Sequence, residues 1–239
     1  MKALLGTLCL LSGLAGCGSR EEGLRLHVEL VHRAERMVLT EGASRSFTTN
    51  LGDRITLRRA FVALSSVELL PCPEPAAWRW LRELSPVGTA YAHSASSPRQ
   101  LGTPHVSTLE RGDGEALELG TLRPPPGRYC WMHLVFAPAD ADAEGLPVDG
   151  SMEGRTLVLE GEVLAADSQA PSPFRVESSG LINVELPLVE LTLPPEQWEG
   201  RQLITLAYDR WLDGVSPLAP GASDEVLRNV ANSAALPPR

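Results

Sequence analysis

The sequence predicts an all-β protein, an antiparallel β-sandwich of the Ig-like or Greek-key type closed by a short C-terminal helix. Three observations predict it. Apolar residues alternate with polar ones in several short runs, the pattern of strands with one buried face. Turn formers are abundant, with 20 prolines and 21 glycines in 239 residues. Only one stretch near the C-terminus has helical spacing, so strands must supply most of the core.

Leu24, Leu26, Val28 and Leu30 alternate with Arg25, His27 and Glu29 in the first strand. Ile55 to Leu70 reads as one long or broken strand, stopped by Pro71-Cys72-Pro73-Glu74-Pro75. Trp78 to Leu84 fits a helical turn or a short strand, and Ser85 to Gly114 an irregular segment. After Pro124-Pro125-Pro126-Gly127, the strand Arg128 to Phe136 has Cys130, Met132, Leu134 and Phe136 on one face. Tyr129, Trp131, His133 and Val135 occupy the other, so a central strand covered on both sides is expected. Asp140 to Gly150 is an acidic loop, and Thr156 to Val163 a strand facing inward through Leu157, Leu159 and Val163. Ile182, Val184 and Leu186 keep one phase, and Val189, Leu191 and Leu193 the other. That slip predicts a bulge at Pro187-Leu188. Gln202 to Tyr208 is the expected last strand. Ser223, followed by Asp224 and Glu225, reads as the N-cap of a helix with Val226, Leu227, Val230 and Ala231 on its apolar stripe.

The start of the chain reads as a bacterial lipoprotein signal. Lys2 gives a positive charge, and Ala3 to Leu14 is an apolar run too short to span a bilayer stably. Leu14-Ala15-Gly16-Cys17 matches the lipobox, which predicts cleavage after residue 16 and lipid on Cys17. Two or more acyl chains make such anchoring stable. Gly18, where an aspartate would retain the protein at the inner membrane, favours the outer membrane. The expected organisation is a signal over 1–16, a lipidated tether over 17–23 and one sandwich domain over 24–239.

Removing Lys2 from 21 basic residues leaves 20 against 30 acidic, a net charge near −10. That balance argues against nucleic acid and anionic lipid as main partners. Cys9 leaves with the signal and Cys17 is lipidated, so Cys72 and Cys130 remain in an oxidising compartment. A disulfide between them is expected. A reactive thiol pair or soft metal ligands are the alternatives, but the spacing is not CxxC.

Enzyme motifs are scarce: GxSxG, HExxH, a P-loop and GxGxxG are all missing. A non-catalytic role is expected. The candidate metal ligands are His93 and His105, in the long segment, and His133, on the strand beside Met132. The competing reading for each is an ordinary surface or hydrogen-bonded histidine. Asp140, Asp142, Glu144 and Gly145 echo the opening of a calcium loop, yet position twelve is Ser151, so a solvated acidic turn is favoured. Trp78 and Trp80 are candidates for an exposed aromatic face toward a protein or glycan. Trp131, Trp198 and Trp211 more plausibly serve core or rim.

Four stretches carry a family resemblance. They are Phe47 to Leu69, "LGTLRPPPGRYCWMHLVFA" from Leu119 to Ala137, the Gly150-Ser151-Met152 to Leu159-Glu160-Gly161 segment, and "LITLAYDRWLDG" from Leu203 to Gly214. Together they resemble the MbnP-like periplasmic copper-binding family. The resemblance implies a β-sandwich and copper bound through histidine and a modified tryptophan. Glu153 and Gly154 stand where the family has tryptophans after the methionine. Val176, Glu177 and Ser178 stand where it has a strand histidine. No ligand therefore carries over position by position. The expectation is an outer-membrane-anchored protein that binds copper or another metal. The alternative is a metal-free module for a protein or glycan.

Overall fold

A computed structural model describes residues 23–73 and 97–237. The strands are β1 (Arg25–His32), β2 (Leu39–Glu41), β3 (Ser44–Thr48), β4 (Arg54–Pro71), β5 (Gln100–Leu101), β6 (His105–Thr108) and β7 (Leu117–Leu122), followed by β8 (Gly127–Phe136), β9 (Leu157–Leu164), β10 (Ser172–Ser178), β11 (Ile182–Leu193), β12 (Glu199–Leu206) and β13 (Ala234–Ala235). A 3-10 turn covers Tyr208–Arg210, and helix α1 covers Ala222–Asn232. About half of the described residues are strand, in line with the expected sandwich.

One sheet runs β13-β12-β1-β7. The other is built on β4 and runs β10-β9-β4-β3-β2, with β5, β6 and β8 also on β4 and β11 on β8. Alternation in β1 holds: Leu26, Val28 and Leu30 are buried between half-buried polar residues. Its pairing with β12 is parallel, however, from Arg25↔Glu199 to His32↔Leu206. The other pairs between named strands are antiparallel, as expected of the sandwich. A parallel pair needs a long crossover, and almost the whole domain lies between these two strands.

β4 is one continuous strand of 18 residues. Its first half pairs with β3 and β9, its second with β6, β5 and β8. Register shifts at Leu57/Arg59 and Leu64/Ser66 let it bend between the two sets of partners. Phe61, Val62, Ala63 and Leu64 are buried in succession because both faces are covered there. The main core lies on one side. On the other, the chain between β8 and β9 folds back so that Ala139, Ala143 and Met152 close a small second core over Phe61, Ala63 and Val158. Backbone bonds from Ala139 N to Arg155 O (2.9 Å) and Gly154 N to Ala139 O (2.8 Å) hold that fold-back.

Four details depart from the sequence expectation. β8 is not covered on both sides: Met132, Leu134 and Phe136 are fully buried, but Trp131 is 39% exposed and His133 and Val135 are half-buried. The second core lies over β4 and β9 and stops short of β8. Tyr129 and Cys130 exchange faces, because Leu70 pairs with Trp131 and Pro71 with Tyr129, which gives β8 an extra residue. Tyr129 is thus buried and its hydroxyl donates to Pro125 O at 2.8 Å. The segment expected to be irregular holds β5 and β6, while Trp78 to Leu84 lies outside the described residues. Finally, α1 is capped by Gly221 in the left-handed region (φ 77°), with no side-chain cap, and Ser223 sits inside the helix. Asp224 and Glu225 do occupy its first turn, and Val226, Leu227, Val230 and Ala231 are buried as expected.

The β11 bulge falls where the phase slip put it, between Pro187 and Leu191. It expels Val189, which is 82% exposed. The last long strand ends at Leu206, earlier than expected, since the chain turns at Tyr208. There the buried Asp209 accepts from the backbone N–H groups of Glu35 and Arg36, both at 3.0 Å, and from Arg36 Nε. Its charge is thereby matched by three hydrogen bonds from one turn, the condition for burying a carboxylate.

Cys72 and Cys130 are bonded, 58 residues apart. In the chain-entropy picture such a loop stabilises by roughly 4 kcal/mol. Cys72→Ser should therefore lower the urea midpoint markedly, and reductant should shift the parent midpoint toward that of the variant. His32 gives a second expectation. It is buried against the edge of Trp211 (ring centroids 5.6 Å apart), and neither ring nitrogen has a hydrogen-bond partner among the described residues. Burial first, then Arg111 and Arg45, lower its pKa from 6.5 to about 4. Between those values the unfolded chain takes up a proton that the native state refuses, so stability rises with pH from about 4 to 6.5. The contribution is on the order of 3 kcal/mol. His32→Leu should flatten the difference between unfolding free energies measured at pH 4.5 and pH 7.

Candidate functional site

The two sheets part along the edge formed by β7 on one side and β5 with β6 on the other. β7 is the last strand of its sheet. A groove of about 1040 Å³ lies along it. Leu24, Leu101, Leu119 and Leu122 give it an apolar floor, the run 124–126 a proline wall, and Arg123, His105 and Glu144 polar groups. β7 approaches β5 closely at Gly120: a Cβ there would lie 3.3 Å from a Leu101 methyl, and φ is +129°. A side chain at that position would crowd the groove floor as well as strain the backbone.

His105 opens β6 and is buried. Its partner comes from the acidic loop. Val106 N donates to Glu144 O (2.8 Å) and Glu144 N to Pro104 O (2.9 Å), a short parallel bridge that fixes the loop beside β6. Gly145 makes this approach possible. Its φ is +78°, and a Cβ would come within 2.6 Å of Val106 O. Glu144 Oε2 then stands 3.3 Å from His105 Nε2. On the opposite side of the ring, Nδ1 lies 2.9 Å from Thr103 O. A carbonyl only accepts, so Nδ1 carries the hydrogen. In the neutral ring the Nε2 lone pair would face a carboxylate. The arrangement is favourable only when Nε2 is protonated or when a cation lies between nitrogen and oxygen.

The other candidates are distributed differently. His133 does not reach the groove. It stands on β8 with Glu68 and Glu185 as cross-strand partners. His27 is held between Thr121 Oγ1 (3.0 Å) and Glu199 Oε1 (2.8 Å). Met152 is fully buried in the small core, so its sulfur packs and is not presented to a ligand. His93, Trp78, Trp80 and Cys17 lie outside the described residues. Among the described residues no three His, Cys, Asp or Glu side chains converge on one point.

The acidic loop does not wrap an ion in the calcium-loop manner. Asp140 accepts from Asp142 N in a local turn (3.2 Å), and Ala143 is buried. Asp149 is held well below the usual carboxylate range by hydrogen bonds from Ser151, then by one from Arg59. Sequence reasoning placed Glu144 in a solvated turn and missed it as the partner of His105, 39 residues away. Gly145 was the one visible signal, since a glycine inside an acidic loop marks a backbone position that other residues resist.

A second polar cluster lies inside the main core. Tyr208 donates to Asp113 at 2.8 Å, and Arg45, almost fully buried, lies 3.4 Å from the same carboxylate. Burial and Asp113 push the Tyr208 phenol upward. Arg45 also donates to the carbonyls of Gly42, Leu109 and Arg111. Its two terminal nitrogens are spent on loop carbonyls and its Nε faces the Asp113 carboxylate, so the cluster ties two loops together.

The groove with its His105–Glu144 pair is thus the best-formed candidate site in the described residues. No family model matches the chain, and no curated protein or solved structure gives a significant match.

Proposed function

We propose that this protein is a non-catalytic binding lipoprotein of the bacterial cell envelope, and that its groove binds a first-row metal ion through His105 and Glu144. The observation that carries the reading is the orientation of His105. Its Nδ1–H is committed to Thr103 O, which aims Nε2 at the Glu144 carboxylate. A ligating histidine is commonly oriented through its other ring nitrogen in this way. Two protein ligands leave coordination positions for water or for donor atoms of a molecule in the groove. Mixed nitrogen and oxygen ligation favours copper(II) over its neighbours in the first row. Copper is also what the family resemblance implies, although the ligands would be this chain's own.

The groove's size and its apolar floor support a second reading, an organic ligand such as an extended peptide or a glycan bound without metal. The two readings separate in one experiment. Titration of the mature chain with copper(II) at pH 7 should show one site, with binding abolished by His105→Ala and weakened about tenfold by Glu144→Gln. Stoichiometric copper that both variants retain would place the metal elsewhere. No copper binding in a folded, disulfide-bonded chain would leave the organic ligand as the reading.

A further inference from the structure

The end of the sandwich from which the N-terminal tether leaves also gathers arginines from distant parts of the sequence. Gly23 and Leu24 line the groove beside Arg123. Arg123 N donates to Pro98 O (2.9 Å), which brings Arg99 alongside it. Leu69 N donates to Arg99 O (2.9 Å) and Cys72 N to Arg128 O (2.9 Å), so both flank the end of β4. Arg99 is also close enough to Tyr129 to act on its hydroxyl. Arg123 and Arg128 are exposed and Arg99 half-buried, and none of the three has an ion pair among the described residues. Arg25 starts β1 at the same end. Glu199 stands opposite Arg25 and is engaged by His27, and Glu118 and Glu144 line the same groove as Arg123. Val189, expelled by the β11 bulge, and Trp131 lie on the adjoining outer face, 82% and 39% exposed.

We infer that this end docks on a membrane surface, with Arg99, Arg123 and Arg128 on anionic phospholipid headgroups. The orientation rests on the reading of Cys17 as the lipidated residue. Five residues lie between Cys17 and Gly23, a reach of at most about 20 Å, so an anchored protein keeps this end near the bilayer whichever way it tilts. Each arginine near an anionic surface strengthens binding about fivefold, roughly a hundredfold for three. Exposed tryptophan and valine beside them suit the headgroup boundary. The rest of the chain is strongly acidic and is repelled by the same surface, which fixes the orientation.

The test uses the mature chain, residues 17–239, with Cys17→Ser so that no lipid can attach. Co-sedimentation with phosphatidylglycerol vesicles is compared with phosphatidylcholine vesicles. Binding should require the anionic lipid, fall steeply with added salt, and weaken roughly a hundredfold in the Arg99→Gln/Arg123→Gln/Arg128→Gln variant, with graded losses in the single variants. Equal partitioning of parent and triple variant, or no binding to anionic vesicles at low salt, would overturn the inference. The mass of the protein extracted from envelopes reports lipidation separately. An unlipidated Cys17 would remove the anchoring argument and leave the arginine surface judged by the vesicles alone.

Discussion

The structure depends on the continuity of β4. One strand of 18 residues serves both halves of the second sheet, and five other strands pair with it directly. A strand buried on both faces must be apolar in succession, and Phe61-Val62-Ala63-Leu64 satisfies that at the point where the partners change. The two register shifts around this stretch provide the bend without a break in the chain. Were β4 interrupted, β8 and β9 would lose their shared support, and with it the fold-back that carries Glu144 to His105.

The groove follows from the same arrangement. β5 and β6 are short because each covers only part of β4, and β7 ends the opposing sheet. Where two sheets part, the floor is made of side chains that also belong to the core, such as Leu119 and Leu122. Polar groups enter from strand residues such as Gln100, His105 and Glu118 and from loops through Arg123 and Glu144. The His105–Glu144 pair is one such addition, held by backbone bonds from residues on either side of it. Its exposed carboxylate contributes little to stability, since surface ion pairs are worth about 0–1 kcal/mol.

Electrostatics divide the molecule in a way the total charge hides. On the outer face of β9, β10 and the first half of β4, acids and arginines pair in rows: Arg58 with Glu162, Arg59 with Asp149, Arg155 and Arg175 with Glu177. Inside the core, Asp209 and Arg45 are satisfied mainly by backbone groups. At the end that carries Gly23, Arg99, Arg123 and Arg128 have no ion-pair partner among the described residues. An acidic chain can therefore present one basic end.

The sequence by itself determined the β class, the strand faces outside the start of β8, the β11 bulge, the helix stripe and the bond between Cys72 and Cys130. Each of these follows from local periodicity or from the small number of cysteines left to pair. The expectation of a lipid address at Cys17 is equally local, a matter of charge, apolar length and lipobox spacing. Tertiary structure alone decided the rest. The parallel pairing of β1 with β12 joins strands from opposite ends of the domain. The exchange of Tyr129 and Cys130 depends on how many residues a neighbouring strand supplies. Glu144 meets His105, and Arg99, Arg123 and Arg128 share one end, only because β4 brings their loops together. Periodicity reports which way a side chain faces its own backbone. It carries no record of which distant residue will face it, because that is set by strand pairing and register.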